Sequence, residues 1–307
     1  MFKNFAAAWG VIGGAFHYNK NGEVVYGSIQ PEYKEFIKEM NKWYKEGLID
    51  PEFPSINKNI VDSNMTSGIS GATIGLLGSQ LGNYIKAGDP ATGYKLAGAE
   101  YPSLDENSPH YCGFTNMTKM VPYGDGTAVT AKSKNKEVAI KLLDYMYSGA
   151  AFGTLNYGIE GKSYTILENG ERRFTDDILN NKEGKSPSQA IIPYALTIYG
   201  VGPKVMSSDA YNQAMNNFPE QKDASQKWGE SDLSLLPVAA PLTTDENTKV
   251  TKMMADIKTY ESEMFVKMVV GIEPIESFDK FVQKIKEFGI DEVVEIYKNA
   301  YKRAEAK

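Results

Sequence analysis

One stretch, Lys132 to Phe174, limits what this 307-residue chain can fold into. It sets a helical apolar period directly before a hairpin pattern, and each pattern admits one kind of backbone. Val138, Ala139, Leu142, Leu143 and Met146 fall on one face at helical spacing. Ser133 or Asn135 is placed to cap the start of that helix, and Gly149 to end it. A second short helix runs up to Gly158-Ile159-Glu160-Gly161, where the chain turns into a strand, Tyr164 to Leu167. Asn169-Gly170 then turns it back through Arg173 and Phe174.

The same punctuation can be followed from the amino terminus. The run Phe5 to Phe16 imitates a signal peptide, but one positive charge precedes it and Gly10, Gly13 and Gly14 interrupt it. Phe16–Asn19 and Glu23–Tyr26 flank Lys20-Asn21-Gly22 as a hairpin with glycine in the turn. Pro31 suits the first turn of a helix whose apolar face is Tyr33, Phe36, Ile37, Met40, Trp43 and Tyr44, stopped by Gly47. A short helix is expected from Asn57 to Ser67, and a buried strand from Gly71 to Gly78. Further strands are expected over Tyr94–Tyr101 and Gly126–Ala131, and an irregular polar segment over Asp176–Ser188. Ser207–Trp228 is helical by pattern. Thr243 and Glu246 form a capping box ahead of a long helix that ends at Gly271. Ser277 and Asp291 are placed to cap two final helices.

Composition narrows the functional classes. Length suggests about two domains, and a 42% hydrophobic content supports sizeable cores. A net charge of −6 argues against nucleic-acid or anionic-membrane partners. One cysteine, Cys112, leaves no internal disulfide, and two histidines, His17 and His110, give no basis for a zinc site. No cofactor is expected. Gly161-Lys162-Ser163 looks like the tail of a phosphate loop, but Asn156 stands where its first glycine belongs and a helix precedes it. The hydrolase and metalloprotease signatures Gly-x-Ser-x-Gly and His-Glu-x-x-His do not occur. Asp176-Asp177 reads as a solvated surface rather than a glycosidase pair.

Three blocks together carry a family likeness: Ala131–Tyr147, Tyr157–Thr165 and Tyr26–Pro51. Ser-Lys-Asn-Lys-Glu before an Ala-x-x-Leu-Leu-x-Tyr helix, then Tyr-Gly-Ile-Glu-Gly before a Tyr-Thr strand, resembles the extracellular solute-binding proteins of carbohydrate ABC importers. The resemblance implies an α/β, periplasmic-binding-protein-like fold of the second type, mainly its carboxyl-terminal lobe. Residues 1–98 and 150–307 would form that lobe, and 99–149 would belong to the first lobe. It also implies an amino-truncated member or a fragment, whose 99–149 segment leaves apolar surface uncovered or hidden by self-association. The implied function is non-catalytic capture of a carbohydrate, an oligosaccharide by family, for an ABC permease. The implied location is extracellular, at the cell surface, with membrane attachment only through a lipid anchor that this chain lacks. A glycoside hydrolase and a truncated surface scaffold are the competing classes.

Ligand residues follow from the same resemblance. Trp9 is either a cleft aromatic for stacking a sugar ring or a core anchor. Ser79 and Gln80 line the cleft or form a plain turn. Glu160, between two glycines, either accepts bonds from sugar hydroxyls or is solvated. Tyr164 is placed to wall the site beside it, with Trp9 on the same rim. Tyr199 and Tyr194 are further candidates in an apolar segment, and His17 is structural.

Overall fold

The computed structural model describes residues 2–88, 90–113, 127–196, 203–236 and 240–305. Four short strands are present among them: β1 (Phe16–Tyr18), β2 (Val24–Tyr26), β3 (Tyr164–Ile166) and β4 (Arg172–Phe174). The helices run α1 (Pro31–Lys45), α2 (Lys58–Thr66), α3 (Asn83–Ala87), α4 (Lys136–Met146), α5 (Gly149–Tyr157) and α6 (Asp176–Leu179). They continue as α7 (Pro187–Ala190), α8 (Ser208–Met215), α9 (Pro219–Gly229), α10 (Thr244–Val270), α11 (Phe278–Glu287) and α12 (Ile290–Glu305).

The chain groups into two compact units. The first takes Met1–Ile56, Glu100–Tyr123 and Glu230–Lys307; the second takes Asn57–Ala99 and Gly124–Gly229. This grouping differs from the expected division of 99–149 against the rest. Residues 57–98 and 150–229 cluster with 124–149, while 100–123 cluster with the two terminal segments. A sequence period says which face of an element is apolar, not which element covers it.

In the first unit, β1 and β2 pair antiparallel, Phe16 opposite Tyr26. Pro31 stands at the start of α1, and Gly47 follows its end in a left-handed conformation. Phe36, at the centre of α1, lies 5.6 Å from the Trp9 ring, 5.4 Å from Tyr33 and 6.1 Å from Phe265 of α10. Around them Ile37, Met40, Ile257, Met268, Phe281 and Ile285 are buried. The capping box of α10 forms as expected: Thr243 N–H donates to Glu246 Oε2 at 2.9 Å and Glu246 N–H to Thr243 Oγ at 3.3 Å. Arg303 of α12 grips the same Glu246 carboxylate through two bonds, 3.0 and 2.7 Å. Ser277 does not cap α11; its hydroxyl donates back to the Pro274 carbonyl at 2.7 Å. Asp291 falls inside the first turn of α12, because that helix already begins at Ile290.

One buried network of the first unit was not foreseen. The Tyr26 hydroxyl donates to the carboxylate of Glu261, which is 1% exposed. Burial, and then the neighbouring Glu261 charge, hold the Tyr26 phenol far above its ordinary range. This bond ties β2 to the middle of α10. His17 is fully buried, with Nδ1 at 2.8 Å from the Tyr18 carbonyl, and burial lowers its pKa, in keeping with a structural role.

In the second unit, β3 and β4 pair with Tyr164 opposite Phe174, as Asn169-Gly170 implied. Their inner residues join Tyr157, Ile178, Leu179, Ile191, Ala210, Ala214 and Met215 in one core. Asn57 caps α2 by accepting from Ile60 N–H at 3.2 Å. Gly149 starts α5 rather than closing α4, which ends at Met146. Asp176–Ser188, expected to be irregular, instead contains α6 and the start of α7.

Three expected strands do not form among the described residues. Residues 71–76 and 94–101 carry no ladder, and 77–82 wind into a π-helical turn. Residues 127–131 are likewise outside any strand, and Gly126 lies outside the described residues. Small apolar runs satisfy the composition of a buried strand, but a strand exists only when a second backbone pairs with it. The face of α4 shows the same limit. Its amphipathic pattern is real, yet none of its residues is buried, with Val138 65% and Leu142 57% exposed.

Candidate functional site

The Gly158–Gly161 turn of the second unit is built by a small set of local bonds. Helix α5 stops at Gly158, whose φ of 90° and ψ of −120° suit glycine and strain any other residue. The buried Ser163 hydroxyl donates to the Tyr157 carbonyl at 2.6 Å and accepts from Ile159 N–H at 2.7 Å. Gly161 N–H donates to the Tyr164 carbonyl at 2.8 Å, and Thr175 Oγ to the Lys162 carbonyl at 2.8 Å. With its backbone so fixed, the turn leaves Ile159 and Glu160 exposed.

Tyr164 behaves differently from the expectation that its ring walls a ligand site. It is 7% exposed, within the unit's core, and its ring lies 5.5 Å from that of Tyr157. The physical reason is register: opposite Phe174, Tyr164 takes the inward side of the hairpin, and alternate residues point outward. Tyr157 is braced in turn by donating to Asp209 Oδ2 at 2.7 Å. Gln213 Nε2 donates to that same oxygen at 2.7 Å and to the Arg172 carbonyl at 2.8 Å, which links α8 to β4.

Gln80 is half-buried and bonds within its own turn. Its carboxamide oxygen accepts from Leu76 N–H at 3.0 Å, and its nitrogen faces the Tyr84 hydroxyl at 3.5 Å. Tyr84 donates to Asp62 at 2.7 Å; burial and that bond push its phenol up to about 12. Ser79 is half-buried in the π-turn, with its carbonyl accepting from Asn83 Nδ2 at 2.6 Å. Trp9 belongs to the first unit, where it is half-buried against Phe36 and forms one wall of a shallow groove of about 560 Å³ with Glu39 and Lys42. Tyr199 lies outside the described residues.

A buried amine near the turn was missed by the sequence reading. Lys204 is 5% exposed and donates to the Leu155 carbonyl at 3.1 Å and the Leu196 carbonyl at 2.7 Å. The first acceptor is in the last turn of α5, where a cation suits the helix dipole. Burial pushes the amine down to about 8 from its ordinary 10.5. In the unfolded chain the proton is held more tightly, so between those two values rising pH favours the fold. Chemical denaturation at pH 7 and near pH 10 is expected to show wild type gaining about 1–3 kcal/mol relative to Lys204→Met. An equal slope in both proteins would refute this. No hydrophobic or turn signal marks a lone lysine as buried, so only the packing could reveal it.

The fold is of the type II periplasmic-binding-protein-like class, here with helices predominating. Residues 3–151 match the family model of bacterial extracellular solute-binding proteins. It is similar in structure to the alginate-binding protein AlgQ2, with a TM-score of 0.75 and 22% identity over 98% of this chain and 62% of that one. It is also similar to the S. pneumoniae ABC-transporter substrate-binding protein FusA, solved with kestose, with a TM-score of 0.73 and 15% identity over 99% of this chain and 61% of that one. The chain therefore spans a little over three fifths of these solved proteins. In sequence it is 24% identical over 296 residues to an uncharacterized protein in the butB 5' region of Niallia circulans, covering 87% of this chain and 100% of that protein.

Proposed function

We propose that this protein captures a carbohydrate outside the cytoplasmic membrane, in the extracellular or periplasmic space, and delivers it to an ABC permease. The observation that carries the reading is the rigid Gly158–Gly161 turn with its exposed Glu160, set in a solute-binding fold. The chain's similarity to proteins solved with kestose, or described as alginate-binding or "HMO binding", favours a glycan ligand. An oligosaccharide fits better than a single sugar on that basis. The role given to Glu160 in this reading is hydrogen bonding rather than catalysis. General acid–base chemistry needs a partner base within hydrogen-bond reach, and this reading assigns Glu160 none. The open face of α4 is the surface that self-association would cover.

Titration with a glycan panel, read by tryptophan quenching and by chromatography of the sugars, tests this reading. Saturable quenching with intact sugars is the expected result, and Glu160→Gln is expected to weaken binding by about 1–3 kcal/mol. Cleaved products would favour a glycoside hydrolase, and no saturable ligand a scaffold. Sedimentation velocity on the same sample reads the self-association.

A further inference from the structure

We infer that Tyr194 and Glu160 together form a recognition platform for a neutral sugar ring, and that Gly158 is what lets the two come together. The inference rests on the carbohydrate-binding reading above and assigns the aromatic partner that Tyr164, buried in the core, does not supply.

Tyr194 combines exposure with a fixed backbone. It is 38% exposed and continues an exposed Ile192-Pro193 pair, yet its N–H donates to the carbonyl of buried Ile191 at 2.9 Å. Two residues later, the Leu196 carbonyl is held by the Lys204 amine. An exposed aromatic on a segment anchored at both sides loses little freedom when a ligand arrives, which favours affinity.

The backbone of residue 194 also runs directly against the Glu160 turn. A Cβ placed on Gly158 would lie 2.7 Å from the Tyr194 Cβ and 2.9 Å from its carbonyl oxygen. Only a residue without a side chain allows that approach, and Glu160 stands two positions further along the same turn.

The chemistry of the pair selects a ligand class. An aromatic face accepts the C–H face of a pyranose, while a phenol or carboxylate oxygen bonds the hydroxyls at its edge. A carboxylate on the platform disfavours uronates, since a second negative charge there is repelled. Lys162 is exposed in the same turn, so an oligouronate is the control that separates repulsion by Glu160 from capture by that lysine.

The test is isothermal titration of the whole chain with neutral oligosaccharides (gluco-, fructo- and xylo-series) and one oligouronate. Wild type is expected to saturate with at least one neutral sugar. Tyr194→Ala and Tyr194→Leu are each expected to raise its Kd about tenfold or more, equivalent to about 1.4 kcal/mol. Tyr194→Phe is expected to stay within about threefold, because the ring face is kept. Circular dichroism of all three variants should match wild type. Unchanged affinity in folded Tyr194→Leu overturns the inference and leaves the carbohydrate reading standing. Saturation by the oligouronate alone also overturns it. A wild type that saturates with no sugar overturns the reading and the inference together.

Discussion

Gly158→Ala is expected to destabilise the second unit by about 2–6 kcal/mol and to abolish sugar binding. Two costs act together. The residue sits at φ 90° and ψ −120°, a region that an alanine enters only at about 1–3 kcal/mol. Its new methyl would then lie 2.5 Å from the Ser163 hydroxyl oxygen and 2.7 Å from the Tyr194 Cβ, and overpacking of this kind costs about a further 1–3 kcal/mol. Ser163 cannot move away freely, because its oxygen holds the turn through Tyr157 and Ile159. The methyl would therefore push Tyr194 from the turn or open the end of α5. Urea denaturation measures the first effect and the glycan titration the second. Gly170→Ala is the useful control: it also has positive φ, at 83°, but meets no atom within 4 Å. A Gly158→Ala protein no less stable than Gly170→Ala would show that the close approach of Tyr194 does not matter.

Phe36→Ala is expected to cost about 3–5 kcal/mol, the range for removing a fully buried phenylalanine. Its ring is the meeting point of three elements: Trp9 from the amino-terminal turn, Tyr33 from its own helix and Phe265 from α10. Removing it takes away the transfer energy of the ring and leaves a cavity that three aromatic neighbours cannot readily collapse into. A typical domain has only about 5–15 kcal/mol of stability, so the first unit should unfold at much lower denaturant. Trp9 reports on the change directly, because it loses its edge-on contact. Ile37→Val, one position along and equally buried, should cost only about 0.5–1.5 kcal/mol. Equal costs for the two substitutions would mean that Phe36 is not the keystone of this core.

Much of the local structure was legible in the residues. Gly22 and Asn169-Gly170 each marked a hairpin that forms, because a tight turn fixes its strands directly. Pro31, Gly47, the Thr243–Glu246 box and Gly271 marked the ends of α1 and α10 for the same reason: a cap bonds within four residues. The candidate site was legible only in part. The Gly158–Gly161 turn and its exposed Glu160 were visible as a charged residue between glycines. Tyr164 was not, since a strand's period gives two faces without saying which one is inward.

What the sequence determined by itself is therefore the two hairpins, the longer helices and several of their ends. What only the tertiary structure decided is how distant elements meet. It put Tyr26 against Glu261, 235 positions away, and gathered 57–99 and 124–229 into one unit. It buried Lys204 and left the apolar face of α4 open. It also withheld a ladder from the apolar runs at 71–76 and 94–101. The physical reason is range. Caps, turns and periods are satisfied by neighbours a few residues away, whereas burial and strand pairing need a partner whose distance along the chain no local pattern encodes.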